Sequence, residues 1–489
     1  MPDQPLTLMI TPYRMPHPSS RRLAASIVLL GLGSAHAATL HWNSGDGAWI
    51  NGAGAYWSDD AVSSPSRDWA NGNAAQFNST NPSINLWNVS ATSVTVTNGL
   101  TLYASGATSP SRALTISAGG SGDITLRDDR NTGGTSAGIL LSSSTTTWNG
   151  TFTIIGNPTS DVFLTIGSET TSGTASTSTA TKVHLVDGGT LKVGAGSVGG
   201  VATIGELSGT GTVKLHGTFG STQGTRTLKV DQTTNTTFTG TFGGTAGFSR
   251  GDNILAFTKA GSGTLVINGG TGVSGYAGAT TVEAGKLFLT GTFGGGLGTH
   301  VTGQGDYLVK TGALLGVDGT ISLAPNATRT LTVESGAILK PGTADAPGTL
   351  VIAGGDGSST GLSFHDGAVI EFRLGAEQDF IELASASMTG FATGEVVFNF
   401  IDNGGLVVGT TYDLISFGGT TPGISLSAWV LSSASLDAGL DGVFSYGGDG
   451  NLLQFTLTAA PIPEPASAAA LAGLGAVGLA LASRRRRSA

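Results

Sequence analysis

The sequence predicts an all-β chain wound as a right-handed parallel β-helix, with β caps at both ends and one hydrophobic helix at the C-terminus. Three observations predict it. Glycine, at 79 of 489 residues, is about twice its usual share, and charged residues, at 11%, are less than half theirs. Hydrophobic residues nevertheless make up 39%, so the chain has a core to bury and reads as short strands joined by tight turns. Across the middle of the chain, apolar and small polar residues alternate between glycines, with no helix-forming stretch between the runs.

Residues 1–37 read as a secretory signal peptide. Arg21-Arg22 precede the apolar run Leu23 to Gly33, and Ala35-His36-Ala37 supply the small-residue site for cleavage before Ala38. Counted from Met1 the charged region is long, so Met15 is the expected start. Leu23-Ala24-Ala25 supply little of a twin-arginine motif, which favours the general secretory route and its translocon.

Residues 38–90 are rich in Trp and Asn, with Trp42, Trp49, Trp57 and Trp69 before Asn71-Gly72-Asn73-Ala74-Ala75-Gln76-Phe77. Such a cluster can stack on sugar rings, or it can cover the open end of a repeat array. The second reading is expected, because the first unit of an array has no neighbour above it.

Residues 91–360 are the rhythmic part. Thr190-Leu191-Lys192-Val193, Thr212-Val213-Lys214-Leu215, Thr227-Leu228-Lys229-Val230 and Thr264-Leu265-Val266-Ile267 show the period of two that marks a strand with one buried face. Strands this short suit a β-helix, with Leu, Val and Ile inward and Thr on the pleated outer surface. In residues 361–458 the runs lengthen: Ala368 to Leu374, Phe380 to Leu383, Glu395 to Ile401, Thr411 to Phe417 and Leu452 to Leu457. Val369, Glu371 and Arg373 are expected on a wet face, and Ile370, Phe372 and Leu374 on a buried one. This part is expected to hold the last coils and a cap that shields the final sheet edge.

Residues 459–489 differ in kind. Pro461-Ile462-Pro463-Glu464-Pro465 lead into an uncharged run from Ala466 to Ser483 and then Arg484, Arg485, Arg486 and Arg487. A helix over that run is about 27 Å long, against roughly 30 Å of bilayer hydrocarbon. It is mostly Ala, with Gly473, Gly475 and Gly478, so it inserts marginally and suits a temporary anchor in the inner membrane. The arginines stay cytoplasmic, which places the body on the far side.

Pro463, Glu464 and Pro465, the short apolar helix and the Arg484 to Arg487 cluster together resemble the PEP-CTERM sorting signal of Gram-negative bacteria, with Ile462 where that family often has Val. The resemblance implies recognition and removal of the tail by exosortase, a membrane-embedded cysteine protease or transpeptidase, and delivery of the body to the cell surface or extracellular matrix. A second resemblance lies in Phe257-Thr258-Lys259-Ala260-Gly261-Ser262-Gly263-Thr264-Leu265-Val266-Ile267 followed by Tyr276-Ala277-Gly278-Ala279-Thr280-Thr281-Val282-Glu283-Ala284-Gly285-Lys286-Leu287. This stretch, within residues 257–289, is similar to the autotransporter-associated β-strand repeat, which implies a β-helix passenger domain. No run of long amphipathic strands follows to form an outer-membrane barrel.

Signals for chemistry are weak. The formal net charge is −9, and the body is more acidic still, because the signal region and the tail are both basic. Such a body repels nucleic acid. There is no cysteine, hence no disulfide or thiolate. Gly357-Ser358-Ser359-Thr360-Gly361 and Gly134-Thr135-Ser136-Ala137-Gly138 match the nucleophile-elbow spacing without its strand-to-helix context. Gly194-Ala195-Gly196-Ser197-Val198-Gly199 matches a dinucleotide loop with no helix behind it. The seven histidines are scattered, and Gly447-Gly448-Asp449-Gly450-Asn451 is a single calcium-roll-like turn, so no metal or cofactor is expected.

The enzymatic alternative is a polysaccharide lyase or hydrolase built on Asp128/Asp129 between Arg127 and Arg130, or on Asp366, Glu371 and Arg373 with Glu377, Asp379 and Glu382. A non-catalytic surface that binds exopolysaccharide is the other. The reading carried forward is an exported structural or interaction protein with no catalytic residues.

Overall fold

A strand with alternating apolar residues must bury one face, and in this chain it does so against the same face of the strand one turn away. The computed structural model describes residues 38–460, less the segments 43–45, 53–55, 60–66, 81, 105–111, 129–135, 142–146, 158–159, 168–177, 195–199, 216–223, 244–252, 270–277, 294–304, 324–328, 354–359, 385–386, 390–393 and 419–423. The expected signal peptide, apart from its boundary at Ala38, and the expected C-terminal helix lie outside the described residues. Within them, no helix is long and apolar enough to cross a membrane.

The described chain is nearly all β and forms a solenoid. One face is an eight-stranded parallel sheet that takes one strand from each of eight turns: Val201–Ile204, Gly224–Asp231, Asn253–Ala260, Thr280–Val282, Tyr307–Val309, Leu331–Val333, Thr360–Phe364 and Ser387–Thr389. Each turn continues onto a second and a third face. Leu314–Ser322, for example, stacks on Ile338–Pro341 through its first half and on Thr349–Ala353 through its second. The parallel ladder also runs back into the Trp/Asn-rich segment, where Thr39–Trp42 pairs with Ala74–Thr80.

Register sets the core. Leu265, Leu287, Leu315, Leu339, Ile370 and Phe398 are successive partners down one face, and all six are fully buried. Each such side chain contributes roughly 1.5–3 kcal/mol of transfer free energy, which is how a cysteine-free chain holds together. Alternate residues on these strands, such as Thr264, Val266 and Val369, face outward and are partly exposed.

Corners rely on glycine. Gly291 and Gly319 are register partners on consecutive turns, both with positive φ (109° and 139°). A Cβ on Gly319 would overlap the Gly291 carbonyl oxygen. Neither the backbone angle nor the spacing there tolerates a side chain.

Parallel stacking gives way to antiparallel pairing near each end of the described chain. Trp57–Ser58 runs antiparallel to Thr39–Trp42. At the other end, Thr411–Ser416 pairs with Leu452–Ala459, which pairs in turn with Asp441–Gly447.

Two sequence expectations need correction. Arg373, expected on the wet face, is buried at 9% exposure because its guanidinium bonds the main chain of the turn above. A single-turn helix, Ser433–Asp437, occurs where only strands were expected; Ser432 caps it, its Oγ accepting from the Ser435 N–H at 3.0 Å. The stretch 257–289, read as one repeat, spans one full turn and the opening of the next, since Phe257 stacks directly on Thr280.

Candidate functional site

Ala38, the expected first residue after signal cleavage, is where the described ladder starts: its N–H donates to Asn73 Oδ1 at 3.2 Å and its carbonyl accepts from Ala74 at 2.9 Å. At the other end the ladder runs to Ala459, which is the register partner of Asp441. Leu457 is fully buried, its N–H donating to the Thr410 carbonyl at 3.0 Å and its own carbonyl accepting from Gly409 at 2.8 Å. Thr458 and Ala459 are exposed, and Ala460 packs partly against the core. The described fold therefore reaches to within three residues of Pro463. The remaining sequence-predicted site residues, Ala35, Ala37, Pro463, Glu464, Pro465, Arg484, Arg485, Arg486 and Arg487, lie outside the described residues.

The acidic set near Glu371 does not converge. Glu371 stands on one face beside Asn399 and accepts from Lys340 Nζ at 2.7 Å, while Glu382 stands on the next face beside Val351 and Ser416. Asp366 Oδ1 accepts from the Glu395 N–H at 2.8 Å. Asp379 is fully buried, its two oxygens each taking a backbone N–H, from Gly348 at 2.8 Å and from Arg373 at 2.7 Å. The Arg373 guanidinium bonds the carbonyls of Thr343 at 3.1 Å, Ala346 at 2.9 Å and Ala344. Together the two side chains hold the turn 343–348, Arg on its carbonyls and Asp on an amide. In the other candidate group, Asp128 is buried, Arg127 is exposed, and Asp129 and Arg130 lie outside the described residues.

Burial pushes the Asp379 carboxyl up to about 6, against the opposing pull of the two amides, Lys340 and Arg373. Between the ordinary carboxylate value and 6, the folded chain holds a proton that the unfolded chain has released. The contribution of Asp379 to stability is therefore greatest below the ordinary carboxylate value and is lost as pH rises through 6, by on the order of 3 kcal/mol. Thermal unfolding from pH 4 to 7 should show this slope, and Asp379→Asn should abolish it. The amide should still not gain stability, because it offers one acceptor to two N–H donors.

Lys259, the lysine of the repeat-like stretch, is buried with Nζ bonded to the carbonyls of Ala260, Gly261 (2.9 Å) and Ala284 (3.4 Å). Its pKa is lowered to about 8 by burial, opposed by Asp231. Its contribution has the opposite slope, stability rising with pH above 8. The lysine spans a corner and bonds carbonyls of two consecutive turns.

The other motif matches resolve into structural parts where they are described. Ser136 opens the strand Ser136–Leu141, and Gly447 to Asn451 form the hairpin turn between the last two strands. Ser359 and residues 195–199 lie outside the described residues. Among the described residues, no three His, Asp or Glu side chains gather to hold a metal ion.

Trp42, Trp49, Trp57 and Trp69 are fully buried and pack on one another and on Phe77, with centroids 4.7–5.9 Å apart. None presents a ring face to a sugar. Trp87, which sequence reasoning passed over, is 42% exposed, and the Arg112 guanidinium lies 4.2 Å over its ring. Arg112 Nη1 is held in turn by Asn85 Oδ1 at 2.9 Å and the Leu86 carbonyl at 3.1 Å. The available signal was positional: Leu86 ends an alternating strand, and Trp87 follows it out of phase with the inward residues.

A β-solenoid whose last described strand is followed in sequence, one residue on, by a proline-rich tail has the form of a cargo with an address attached. The family model for the PEP-CTERM protein-sorting motif matches residues 461–487. The chain is thus an exported protein sorted by exosortase, a membrane processing enzyme, and it is membrane-associated transiently during processing. The comparison with curated proteins gives no match.

Proposed function

We propose that the mature chain is a non-catalytic structural protein of the cell surface or extracellular matrix, left there once exosortase removes its tail. The observation that carries this reading is the position of the boundary. The described ladder runs to Ala459, so a cut at the motif spares every described rung. In this reading the buried tryptophans close the first turns, the antiparallel strands close the last, and residues 257–289 represent a passenger-type repeat. Pro463, Glu464 and Pro465 are read by the enzyme, the helix 466–483 holds the precursor, and Arg484 to Arg487 keep its end cytoplasmic. Replacing Pro463, Glu464 and Pro465 with alanine leaves an uncleaved precursor in the membrane fraction, detected by its mass. Processing at the parental rate would defeat the sorting role of these residues.

Trp87 favours a second reading, in which the solenoid also binds polysaccharide. An aromatic ring braced by a guanidinium on an outward corner can stack on the apolar face of a sugar, and Arg112 brings positive charge to an otherwise acidic body. The other six tryptophans are buried, so Trp87 dominates quenching by acrylamide. Polygalacturonate should protect it from quenching and dextran should do so less. Trp87→Ala should lose retention on the acidic polymer. New reducing ends in the same mixture would point to catalysis instead.

A further inference from the structure

The last described strand, Leu452–Ala459, lies between Thr411–Ser416 and Asp441–Gly447, antiparallel to both, and the sorting signal follows it in sequence after Ala460. Only Ala460, Pro461 and Ile462 separate its last paired residue from Pro463, and from Ala460, which packs against the core, the reach to Pro463 is about 10 Å when extended. Enzymes that cut or transfer a peptide chain take it as an extended segment with several residues on either side of the reacting bond. On the N-terminal side of this motif those residues are already committed. Ala459 is paired with Asp441, Ala460 packs against the core, and the solenoid's final sheet stands immediately behind them.

The strand end is graded. Thr458 and Ala459 are exposed; Ala459 has a single register partner, Asp441, and Thr458 is passed over where the register shifts between Asp441 and Gly442, so the two come away at little cost. Leu457 is the first firm point, fully buried and hydrogen-bonded through both main-chain groups to the Gly409-Thr410 turn. Release from Ala460 back to Leu457 roughly doubles the extended length available before Pro463. Nothing short of lifting Leu457 provides more.

We propose that this strand end is a latch on the sorting signal: exosortase acts on chains whose strand Leu452–Ala459 has opened through Leu457, lifting that side chain from the core, so the stability of the terminal sheet sets the rate of processing. The inference rests on the reading of Pro463, Glu464 and Pro465 as the recognised motif. It adds that a fully zipped body shields its own address.

The test follows precursor-to-mature conversion of the full chain by pulse-chase in an exporting host that has the sorting enzyme. A flexible Gly-Ser insert of about ten residues between Ala460 and Pro461 supplies free chain without touching the fold. It should accelerate conversion several-fold. Leu457→Ala, which loosens the latch, should also accelerate it, and should add nothing once the insert is present. An unchanged rate with the insert would overturn the proposal. So would equal acceleration by Leu457→Ala with and without it. If Leu457→Ala fails to fold, the insert alone still decides. The alanine triple variant of the motif separates the two ideas, because its normal processing would defeat the sorting reading, whereas the latch is judged only on chains with the motif intact.

Discussion

Trp57→Ala should lower the unfolding free energy of the N-terminal turns by about 3–5 kcal/mol, the range for deleting a large aromatic side chain from a packed core. Trp57 touches Trp42, Trp49, Trp69 and Phe77 at once, so its removal leaves a cavity bordered by four rings. Rigid aromatic walls on several strands collapse poorly into such a space. The indole N–H of Trp57 is buried with no hydrogen-bond acceptor, and so are those of Trp49 and Trp69. The edge-to-face packing offers ring faces in place of one. The loss is therefore one of packing alone, and Trp57→Phe, which retains a ring and discards the unpartnered donor, should cost far less. Hydrogen exchange would place the damage. Because each rung meets only its neighbours, amides before about residue 100 should lose protection while those beyond residue 300 keep theirs. Equal destabilisation by Phe and Ala would mean that the cluster does not hold these turns by packing.

Gly319→Ala should cost about 2–4 kcal/mol, although it adds only one carbon. Part of this is the backbone: φ at Gly319 is 139°, a conformation strained for any residue with a Cβ. The rest is steric, because the new carbon would meet the Gly291 carbonyl of the adjacent turn, and main-chain atoms in a ladder cannot swing aside. Gly312 supplies the control. Its φ is 78°, with nothing within 4 Å of the position a Cβ would take. Gly312→Ala should carry only the conformational part, about 1–2 kcal/mol. Chemical denaturation of the two variants separates these contributions. Equal midpoints would show that the rungs can part to admit a methyl group.

Local patterning made much of this architecture readable. The alternation in Thr190–Val193 and Thr264–Asn268 reported strands, and the longer runs after residue 361 reappear within a residue or two as Ala368–Leu374, Phe380–Leu383 and Val396–Asp402. Register was not readable. Phe257 stacks on Thr280, Thr280 on Tyr307, Tyr307 on Leu331 and Leu331 on Leu362, so successive turns consume unequal lengths of chain and no fixed period survives in the sequence. Arg373 was misplaced for a related reason. Alternation assigns it to the outside, but the carbonyls that draw it inward belong to another turn, which only the register brings close. Trp42, Trp49, Trp57 and Trp69 were visible as a group, whereas Trp87, which is exposed, was passed over because no second aromatic stands near it in the sequence. The tail was legible because its prolines, apolar run and arginines differ so sharply from the glycine-rich body.

Stacking turn upon turn, with one strand per turn on each face, makes size a modular quantity. Every added or deleted rung lengthens or shortens the stack by about 4.8 Å and leaves the bonding of distant rungs as it was. A segment such as 280–306, whose two boundaries both meet the same ladder, can be duplicated or lost as a unit. Whatever the outer corners display would then shift along the axis in fixed increments, so related proteins can differ in span without inventing a new core.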